Sequence, residues 1–362
     1  MAGGGAWTKL QAESTTYSVT LAKQIIGGAP SPATEQAKLV QVDEGSDGQR
    51  LDNFLIRRLK GVPKTHVYRI IRSGEVRLNK GRAAADSRVS AGDVVRLPPV
   101  RTSATAEQSE RPIPAREFPV LFEDEHLLAI DKPAGVAVHG GSGVSFGVIE
   151  QLRRARPAAK WLELVHRLDR ETSGILLVAK KRSALLSLQD QFRQRETGKT
   201  YLALVAGSWP ANKKVIDVPL HKYLLADGER RVKVVARDDP DGMRSITLVK
   251  VAKRMSHPGP VRDGAGEGGT FSLLEVTIKT GRTHQIRVHL ASQGHPIAGD
   301  DKYGDFELNK RLPKMGLKRM FLHAWRLQFD HPATGERIEL LAALPPDLKK
   351  FCEHADIAPP PV

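Results

Sequence analysis

The chain of 362 residues is long enough for two domains, so the size of a hydrophobic core is not limiting. Lys and Arg total 56 against 41 Asp and Glu, a net charge of +15 that favours a polyanionic partner, with nucleic acid ahead of an anionic membrane. No stretch approaches the roughly 18 apolar residues of a membrane span. The single cysteine, Cys352, excludes a disulfide scaffold and a cysteine-based metal site and suits a reducing cytoplasm.

Residues 1–46 are predicted to form a flexible extension. They begin with a glycine run and contain neither a compact charged segment nor a long apolar segment, which argues against a signal peptide. The proline-rich residues 353–362 are likewise predicted to form a flexible tail.

Residues 47–100 have the pattern of two short helices followed by strands. Apolar residues recur at helical spacing at Leu51, Phe54, Leu55 and Leu59, and then at Val67, Ile70 and Ile71. A Ser-Gly pair at 73–74 ends the second helix, and strand-like alternation follows at 76–79 and 94–97. This segment therefore predicts a small domain with the order αα-β.

Positive charge is concentrated in this small domain. Between Gln49 and Val100 there are twelve Lys or Arg residues against four acids, which suits a phosphate backbone but equally suits a solvated polar face. The segments RLDNFLIRRL, VYRIIRSGEVRLN and AGDVVRL resemble the RNA-binding domain first described in the ribosomal small-subunit protein S-four. The resemblance implies that the two helices and the following turn carry the RNA-contacting residues. The candidates are Arg57, Arg58, Lys64, Arg69, Arg72 and Lys80.

Residues 101–116 lack apolar periodicity and are predicted to be a linker, which leaves residues 117–352 for a second domain. Strands are predicted at Leu127–Asp131, Ile175–Ala179, Tyr201–Ala206, Ile246–Val251, Phe271–Ile278 and Phe321–Phe329. Helices are predicted around Leu185 and Ile286, and the glycine-rich segment Pro260–Gly269 is interpreted as a loop insertion. Because strands outnumber helices, we predict an α+β domain around a largely antiparallel mixed sheet.

The segment from His166 to Gly174 carries most of the polar groups suited to chemistry, and it runs directly into a predicted buried strand. Asp169 lies between Arg167 and Arg170, whose charges favour an ionised carboxylate able to act as nucleophile or base. From the residues alone, ordinary surface ion pairs explain the same pattern.

Read as a unit, the nine residues HRLDRETSG resemble the signature of the RluA group of pseudouridine synthases. KTYLALV at 199–205 and GRTHQIRVHL at 281–290 resemble later motifs of the same group, as do LLAIDKPAG and GHPIAGD. The resemblance implies that Asp169 is catalytic, that Tyr201 stacks on the target base and that Arg287 pairs with the aspartate. Without the resemblance, Tyr201 would be an ordinary sheet aromatic. Residues in supporting or RNA-facing positions are then His166, Arg167, Arg170, Arg282, His284 and Gln285.

The resemblance further implies a cofactor-independent isomerisation that breaks the N1–C1′ bond of a flipped uridine and rejoins the base through C5. Three roles of Asp169 stay open: attack at C1′, attack at C6, and removal of a C2′ proton. The sequence contains no dinucleotide-binding turn and no P-loop. His284 and His289 are five residues apart, which does not match a zinc-binding i, i+4 pair, so we predict no metal site.

Within the group, the arrangement is most similar to RluC-type enzymes, which modify 23S ribosomal RNA of the large subunit. RluD-type enzymes, a tRNA-directed relative and a non-catalytic RNA-binding ribosome-assembly factor are the alternatives. A single-chain synthase with its own RNA-binding domain needs no second subunit, so a monomer is predicted. The identity of the modified uridines is not readable from the sequence.

Overall fold

A computed structural model of the protein describes residues 37–43, 46–59, 62–100, 113–140, 146–226, 229–257, 261–262, 265–266 and 269–354. The helices are α1 Leu51–Arg58, α2 Lys64–Arg72, α3 Val148–Ala155, α4 Arg182–Gln194, α5 Gln285–Ser292, α6 Phe306–Arg311 and α7 Pro346–His354, with a 3₁₀ helix at Leu312–Met315. The strands are β1 Lys38–Gln41, β2 Arg77–Leu78, β3 Val94–Leu97, β4 Val120–Glu123, β5 Leu127–Lys132, β6 Glu163–Leu164, β7 Ser173–Ala179, β8 Gly198–Ala206, β9 Val215–Asp217, β10 Leu220–Leu224, β11 Arg230–Val234, β12 Ile246–His257, β13 Val261–Arg262, β14 Ala265–Gly266, β15 Gly269–Ile278, β16 Leu322–Asp330 and β17 Arg337–Leu341.

The small domain packs α1 and α2 against a three-stranded sheet in the order β1-β3-β2. Its core has its own cluster of buried side chains, among them Phe54, Val67 and Ile70. Asp52 lies in the first turn of α1, where its carboxylate suits the helix dipole, and it pairs with Arg50 at 2.7 Å. The predicted helix pair is therefore present.

The boundary predicted at residue 46 is wrong, because β1 belongs to the small domain. β1 runs antiparallel to β3, with Lys38 opposite Leu97 and Gln41 opposite Val94. Val42, directly after β1, is buried in the core of the small domain. The strand satisfies backbone groups along the edge of β3, and a four-residue strand is too short to show a pattern in the sequence. Residues 1–36 of the predicted extension lie outside the described residues.

The second domain is built on a ten-stranded sheet whose main path is β4-β5-β7-β16-β8-β15-β12-β9. β17 joins the sheet beside β16, and β6 joins it beside β7. Among the described strands, β7 and β16 form a parallel pair, while their other neighbours pair antiparallel. The predicted α+β class with a largely antiparallel mixed sheet is confirmed.

The six strands predicted in this domain are all present, with ends that differ by a few residues. The segment Pro260–Gly269 was interpreted as a loop insertion. This is wrong for its described residues, which form strands. β12 and β15 pair as far as His257 and Gly269, and β13 pairs with β14 between them. The two long strands form a hairpin, and antiparallel backbone pairing continues within it despite the glycines.

Buried layers cover both faces of the central strands. β7 has no exposed residue, since one face packs with α4 and the other with α3. α5 lies over β8 and β15 on the face that contains Ala203 and Leu274. This packing fixes the beginning of β7 and the beginning of α5, from which the polar motifs project.

Two further predictions concern the segment between the domains and the C-terminal tail. Residues 113–116 contain no helix or strand, in agreement with a linker, and residues 101–112 lie outside the described residues. α7 continues to His354, two residues into the predicted tail. None of the helices in the described ranges is both long and apolar enough to cross a bilayer.

Candidate active site

The loop of residues 166–172 joins β6 to β7 and is held in place by a buried lysine. The Nζ atom of Lys132 donates hydrogen bonds to the carbonyl oxygens of Pro133 at 2.8 Å, Val136 at 2.9 Å and Arg170 at 3.1 Å. The side chain of Lys132 is fully buried, so these three carbonyls replace its water ligands. One ammonium group therefore joins the turn after β5 to the 166–172 loop.

Asp169 lies on this loop with about a quarter of its side chain exposed. Its Oδ2 atom is 3.5 Å from Nη1 of Arg287 and 3.9 Å from Nε2 of His284. The cation that contacts Asp169 therefore comes from α5 and not from the loop on which Asp169 lies. Arg170, which was expected to supply charge, instead donates from Nε to the carbonyl of Gly135 at 3.0 Å and lies 3.5 Å from Glu171.

Arg287 is buried and is fixed by a second carboxylate. Its Nε and Nη2 atoms donate to the two carboxylate oxygens of Asp300 at 2.7 and 2.6 Å, and Nη2 also lies 3.2 Å from Asp301. Burial alone would lower the pKa of Arg287, but the bonds and charge of Asp300 and the charge of Asp169 raise it above its usual range. The bidentate pair leaves Nη1 directed at Asp169.

His284 precedes α5 in a left-handed conformation with φ 51°. Its Nδ1 atom is 2.8 Å from the hydroxyl of Tyr303, which accepts a hydrogen bond from the backbone N–H of Val232 at 3.0 Å. The Tyr303 hydroxyl therefore holds the imidazole by a hydrogen bond to Nδ1, and Nε2 is the ring atom that faces Asp169. Burial lowers the pKa of His284, against the opposing charge of Asp169.

Tyr201 lies on β8, opposite Val276 of β15 and Ala324 of β16. Burial, with the nearby charge of Asp169, raises the pKa of its hydroxyl well above the usual range, so the phenol stays protonated at neutral pH. Asp169 and Tyr201 line one pocket of about 970 Å³. A carboxyl group and a neutral phenol ring therefore share a cleft large enough for a nucleotide.

The catalytic pocket, defined by Asp169 and Tyr201, is also rich in cations. The Lys and Arg side chains along it are Arg153, Arg167, Arg193, Arg195, Lys199, Lys222, Lys279 and Arg282. Arg167 is exposed at its rim, and Arg282 reaches the carbonyl of Arg244 at 3.4 Å. This lining favours a polyanionic substrate.

Comparison with known proteins identifies the family. A family model described as RNA pseudouridylate synthase matches residues 126–292, and an S4 domain model matches residues 49–95. "Ribosomal large subunit pseudouridine synthase C" of Pasteurella multocida (strain Pm70) is 49% identical over 88% of this chain and 93% of its own length. The protein of the same name from Escherichia coli (strain K12) is 48% identical over 88% of this chain and 96% of its own. The chain belongs to the RNA pseudouridylate synthase family.

Solved structures agree with this family in their fold. Human RNA Pseudouridylate Synthase Domain Containing 4 is 26% identical, with a TM-score of 0.52, covering 67% of this chain and 95% of its own. Human RNA Pseudouridylate Synthase Domain Containing 1 is 24% identical, with a TM-score of 0.53, covering 68% and 91%. Both the predicted resemblance and the predicted enzyme class, an RNA pseudouridine synthase, are confirmed.

Two of the residues predicted in supporting or RNA-facing positions have side chains that bond within the protein. Nε2 of His166 accepts the backbone N–H of Leu177 at 3.1 Å, and its ring stacks on Phe192 with centroids 4.8 Å apart. Burial lowers the pKa of His166 to about 4, so it is neutral. Gln285 is buried and bonds to groups of the 280–282 turn and β12. All of its polar atoms are engaged, so it shapes the turn before α5.

The structure also brings in residues that the sequence motifs did not single out for the synthase. Asp300 stands at the end of the GHPIAGD segment, and its role depends on a contact with Arg287 that only folding creates. Lys132 stands in the LLAIDKPAG segment, and its buried Nζ atom joins the turn after β5 to the loop of Asp169. Tyr303 follows Asp300, and its hydroxyl lies 2.8 Å from Nδ1 of His284.

Among the described residues of the synthase, one group of three side chains has its ligand atoms close enough together to hold a metal ion. The ligand atoms of His221, Asp239 and Asp241 lie within 4.8 Å of one another, and none of the three residues lines the catalytic pocket. His289, considered with His284 as a zinc pair, lies 2.8 Å from Thr247 and 3.1 Å from the carbonyl of Val218 through its two ring nitrogens. His284 and His289 therefore have separate partners.

Proposed function

We propose that this synthase converts specific uridines of large-subunit (23S) ribosomal RNA to pseudouridine, as an RluC-type enzyme. The observation that carries the chemistry is the carboxylate of Asp169, 3.5 Å from buried Arg287, in one pocket with Tyr201. The target is supported by relatives named for the ribosomal large subunit, which are 48–49% identical over most of both chains.

The reaction is an isomerisation, so its atoms balance without a second reactant. The N1–C1′ bond of uridine breaks, the uracil turns, and a C5–C1′ bond forms while C5 loses a proton and N1 gains one. Asp169 supplies the nucleophile or base of this sequence. Arg287 orients the carboxylate through Nη1, and its own position depends on Asp300.

The uridine reaches Asp169 by leaving the RNA stack, at an unstacking cost of a few kcal/mol that protein contacts must offset. Arg167, which lines the pocket and is exposed, would fill the vacated position. Tyr201 lies where its ring would stack on the flipped uracil. Arg170, Arg282 and His284 lie around the same cleft and would contact the flanking RNA or orient Asp169.

The small domain is proposed to anchor the RNA. Its predicted contact residues are all exposed, and they divide between two surfaces. Arg57 and Arg58 of α1 line a groove that faces the catalytic domain. The remaining candidates, Lys64, Arg69, Arg72 and Lys80, lie on α2 and the turn after β2. Together these side chains offer cations to a phosphate backbone over a wide area.

We further propose that the enzyme is a cytoplasmic monomer that uses no small-molecule cofactor. The catalytic pocket is formed within a single chain, which supports a monomer. Sedimentation equilibrium tests this directly, and a particle of twice the chain mass would contradict it.

The central experiment maps pseudouridine across total ribosomal RNA from cells that lack the gene and are complemented with one of three proteins. The intact protein is expected to restore a defined set of large-subunit sites, and Asp169→Asn to restore none. Asp330→Asn is the matched control, because it removes a carboxylate from an exposed ion pair with Arg337. That control is expected to restore every site.

Other outcomes point to the alternatives. Sites restored in transfer RNA instead of ribosomal RNA would replace the target, and sites of another large-subunit region would favour an RluD-type enzyme. Full restoration by Asp169→Asn would remove the proposed role of the carboxylate. Defective ribosome assembly with no change in pseudouridine would indicate a non-catalytic RNA-binding factor.

A further inference from the structure

A groove separates the small domain from the catalytic domain, and both domains contribute to its walls. We call it the interdomain groove, defined by Arg57 and Arg88 on the small domain and by Arg153, Lys160 and Arg182 on the catalytic domain. Its larger part has a volume of about 1520 Å³. Arg57 lies 3.6 Å from Glu163 of β6, so the two walls approach each other at one end.

The interdomain groove carries an excess of positive charge. Among the described residues, nine Lys or Arg side chains line it against three acids. Some of these cations are balanced within the protein, such as Arg58 by Asp43 at 2.7 Å and Arg153 by Glu163 at 3.0 Å. Lys160 and Arg182, on the catalytic-domain wall, have no acidic partner among the described residues. A polyanion lying between the walls would therefore gain electrostatic energy from both domains.

Two cations of the catalytic-domain wall are free for a ligand. Lys160 is exposed and Arg182 is half-buried at the start of α4. Within the described ranges, neither side chain has an ion-pair or hydrogen-bond partner. Neither belongs to the motifs of the family. Their position along a concave, positively charged wall is what phosphate oxygens require.

Two residues on the walls of the same groove each have a buried polar atom without a hydrogen-bond partner among the described residues. Oε1 of Gln49, from the small domain, and Nε1 of Trp161, from the catalytic domain, are buried without a hydrogen-bond partner among the described residues. Both residues line the groove. A buried polar atom without a partner lowers the stability of the fold. Oε1 of Gln49 is an acceptor, and Nε1 of Trp161 is a donor.

The interdomain groove is continuous with the catalytic pocket. Arg153 of α3 and Glu163 of β6 line both of them. A strand bound in the groove would therefore pass over α3 and β6 directly into the pocket that contains Asp169 and Tyr201. The cations along the pocket extend the same positively charged surface.

We propose that the interdomain groove holds the RNA strand that flanks the target uridine, with Lys160 and Arg182 contacting its phosphates from the catalytic domain and Arg57 and Arg88 from the small domain. This inference rests on the proposed function, because it takes RNA as the substrate. It adds a binding surface outside the family motifs and explains why the small domain faces the catalytic domain with basic side chains.

The test uses the full-length chain with the double substitution Lys160→Gln/Arg182→Gln. Kd for a large-subunit ribosomal RNA fragment is measured over a range of salt concentrations. Losing two phosphate contacts is expected to reduce the slope of log Kd against log salt by about 1.4 and to weaken binding about tenfold at low salt. The rate of pseudouridine formation at saturating RNA is expected to stay unchanged, because neither residue lines the catalytic pocket.

The matched control is Lys349→Gln/Lys350→Gln, which removes the same charge from exposed positions of α7 that line neither the groove nor the catalytic pocket. Its salt slope is expected to match that of the unaltered chain. Equal thermal unfolding of both variants shows that the fold is intact.

Three results would decide against the groove. An unchanged slope and Kd in the Lys160/Arg182 variant would overturn the proposal while leaving the pseudouridine activity standing. An equal effect of the control would reduce it to general charge attraction. A defect seen only when a ribosomal protein accompanies the RNA would assign the groove to a protein partner. Absence of pseudouridine formation by the unaltered chain would instead refute the proposed function, whatever the groove binds.

Discussion

At the residue scale, the position of the guanidinium group that contacts Asp169 depends on a buried ion pair. Arg287 and Asp300 are both almost fully buried and are joined by two short hydrogen bonds. Removing one partner of such a pair costs about 3–5 kcal/mol, since the other charge stays buried without compensation. The structure therefore makes Asp300 a positioning residue for the reaction, although it does not contact Asp169.

Asp300→Asn is expected to lower the free energy of unfolding by about 3 kcal/mol and to lower kcat at least about tenfold with little change in KM, because the aim of Arg287 at Asp169 is lost. Chemical denaturation and steady-state kinetics on an RNA substrate measure both. Asp301→Asn is the matched control, since that carboxylate contacts the same guanidinium at 3.2 Å but is 67% exposed. It is expected to cost less than about 1 kcal/mol. Equal effects of the two substitutions would contradict the role of Asp300.

Lys132 gives the synthase a specific pH dependence of stability. Burial lowers its pKa from 10.5 to about 7, against the opposing charges of Glu171 and Asp169. Between these two pH values the unfolded chain binds one proton more than the folded chain at this site, so the contribution of Lys132 to the free energy of unfolding rises with pH. Below about pH 7 both states are protonated and the contribution is constant.

The test compares the unaltered chain with Lys132→Met at pH 6, 7, 8 and 9. The difference in the free energy of unfolding is expected to be flat from pH 6 to 7 and then to move in favour of the unaltered chain by about 1.4 kcal/mol per pH unit. Urea denaturation at each pH measures it. A difference that stays flat up to pH 9 would mean that the three carbonyl bonds keep Lys132 protonated.

At the scale of elements, the parallel pairing of β7 with β16 sets the start of β7 and hence the loop of Asp169. Gly174 has φ +111°, and a Cβ atom there would lie 2.2 Å from the carbonyl oxygen of Ala324 on β16. No side chain fits at that distance without moving the backbone of one strand.

Gly174→Ala is therefore expected to destabilise the protein by more than about 3 kcal/mol, or to abolish activity in whatever fraction folds. Gly316→Ala serves as the control, because its φ of +99° is equally unfavourable while nothing lies within 4 Å of the added carbon. The control is expected to cost about 1 kcal/mol and to leave kcat unchanged. Thermal unfolding and kinetics on both variants separate backbone strain from the steric clash at β16.

The long strands were predictable because both faces of β5, β7 and β8 are largely buried, which produces apolar runs that stand out in the sequence. β1 was not predictable, since four residues beside a polar segment show no period. α6 has only six residues, too few for a helical stripe. The local pattern of apolar residues thus identifies the most buried strands. It misses short elements, which form because they pack or pair with neighbouring elements.

The candidate site divides in the same way. Asp169, Tyr201 and Arg287 were predicted from contiguous motifs, and the structure brings all three together. Gln285 lies in one of those motifs yet bonds inward, because the turn before α5 needs its amide. Asp300 could not be assigned, because its partner is thirteen residues away on another element.

At the scale of the whole molecule, the two domains have separate cores. The buried cluster of the small domain contains only side chains from residues 40–100, and those around the large sheet contain only side chains from later residues. By contrast, both domains contribute positively charged side chains to the interdomain groove. The synthase therefore combines independent folding units with a joint electrostatic surface.

This separation predicts what removal of the small domain does. A chain that starts at Ile113 is expected to fold and to modify a short uridine-containing RNA with kcat within about threefold of the full chain, because every residue of the Asp169 pocket is retained. On a long ribosomal RNA fragment its KM is expected to rise at least about tenfold, with a weaker salt dependence, because the cations of α1 and α2 are lost. Kinetics on the two substrates at two salt concentrations distinguish these effects. An equal loss of kcat on both would show that the small domain shapes the catalytic pocket, and an unchanged KM on the long RNA would remove its anchoring role.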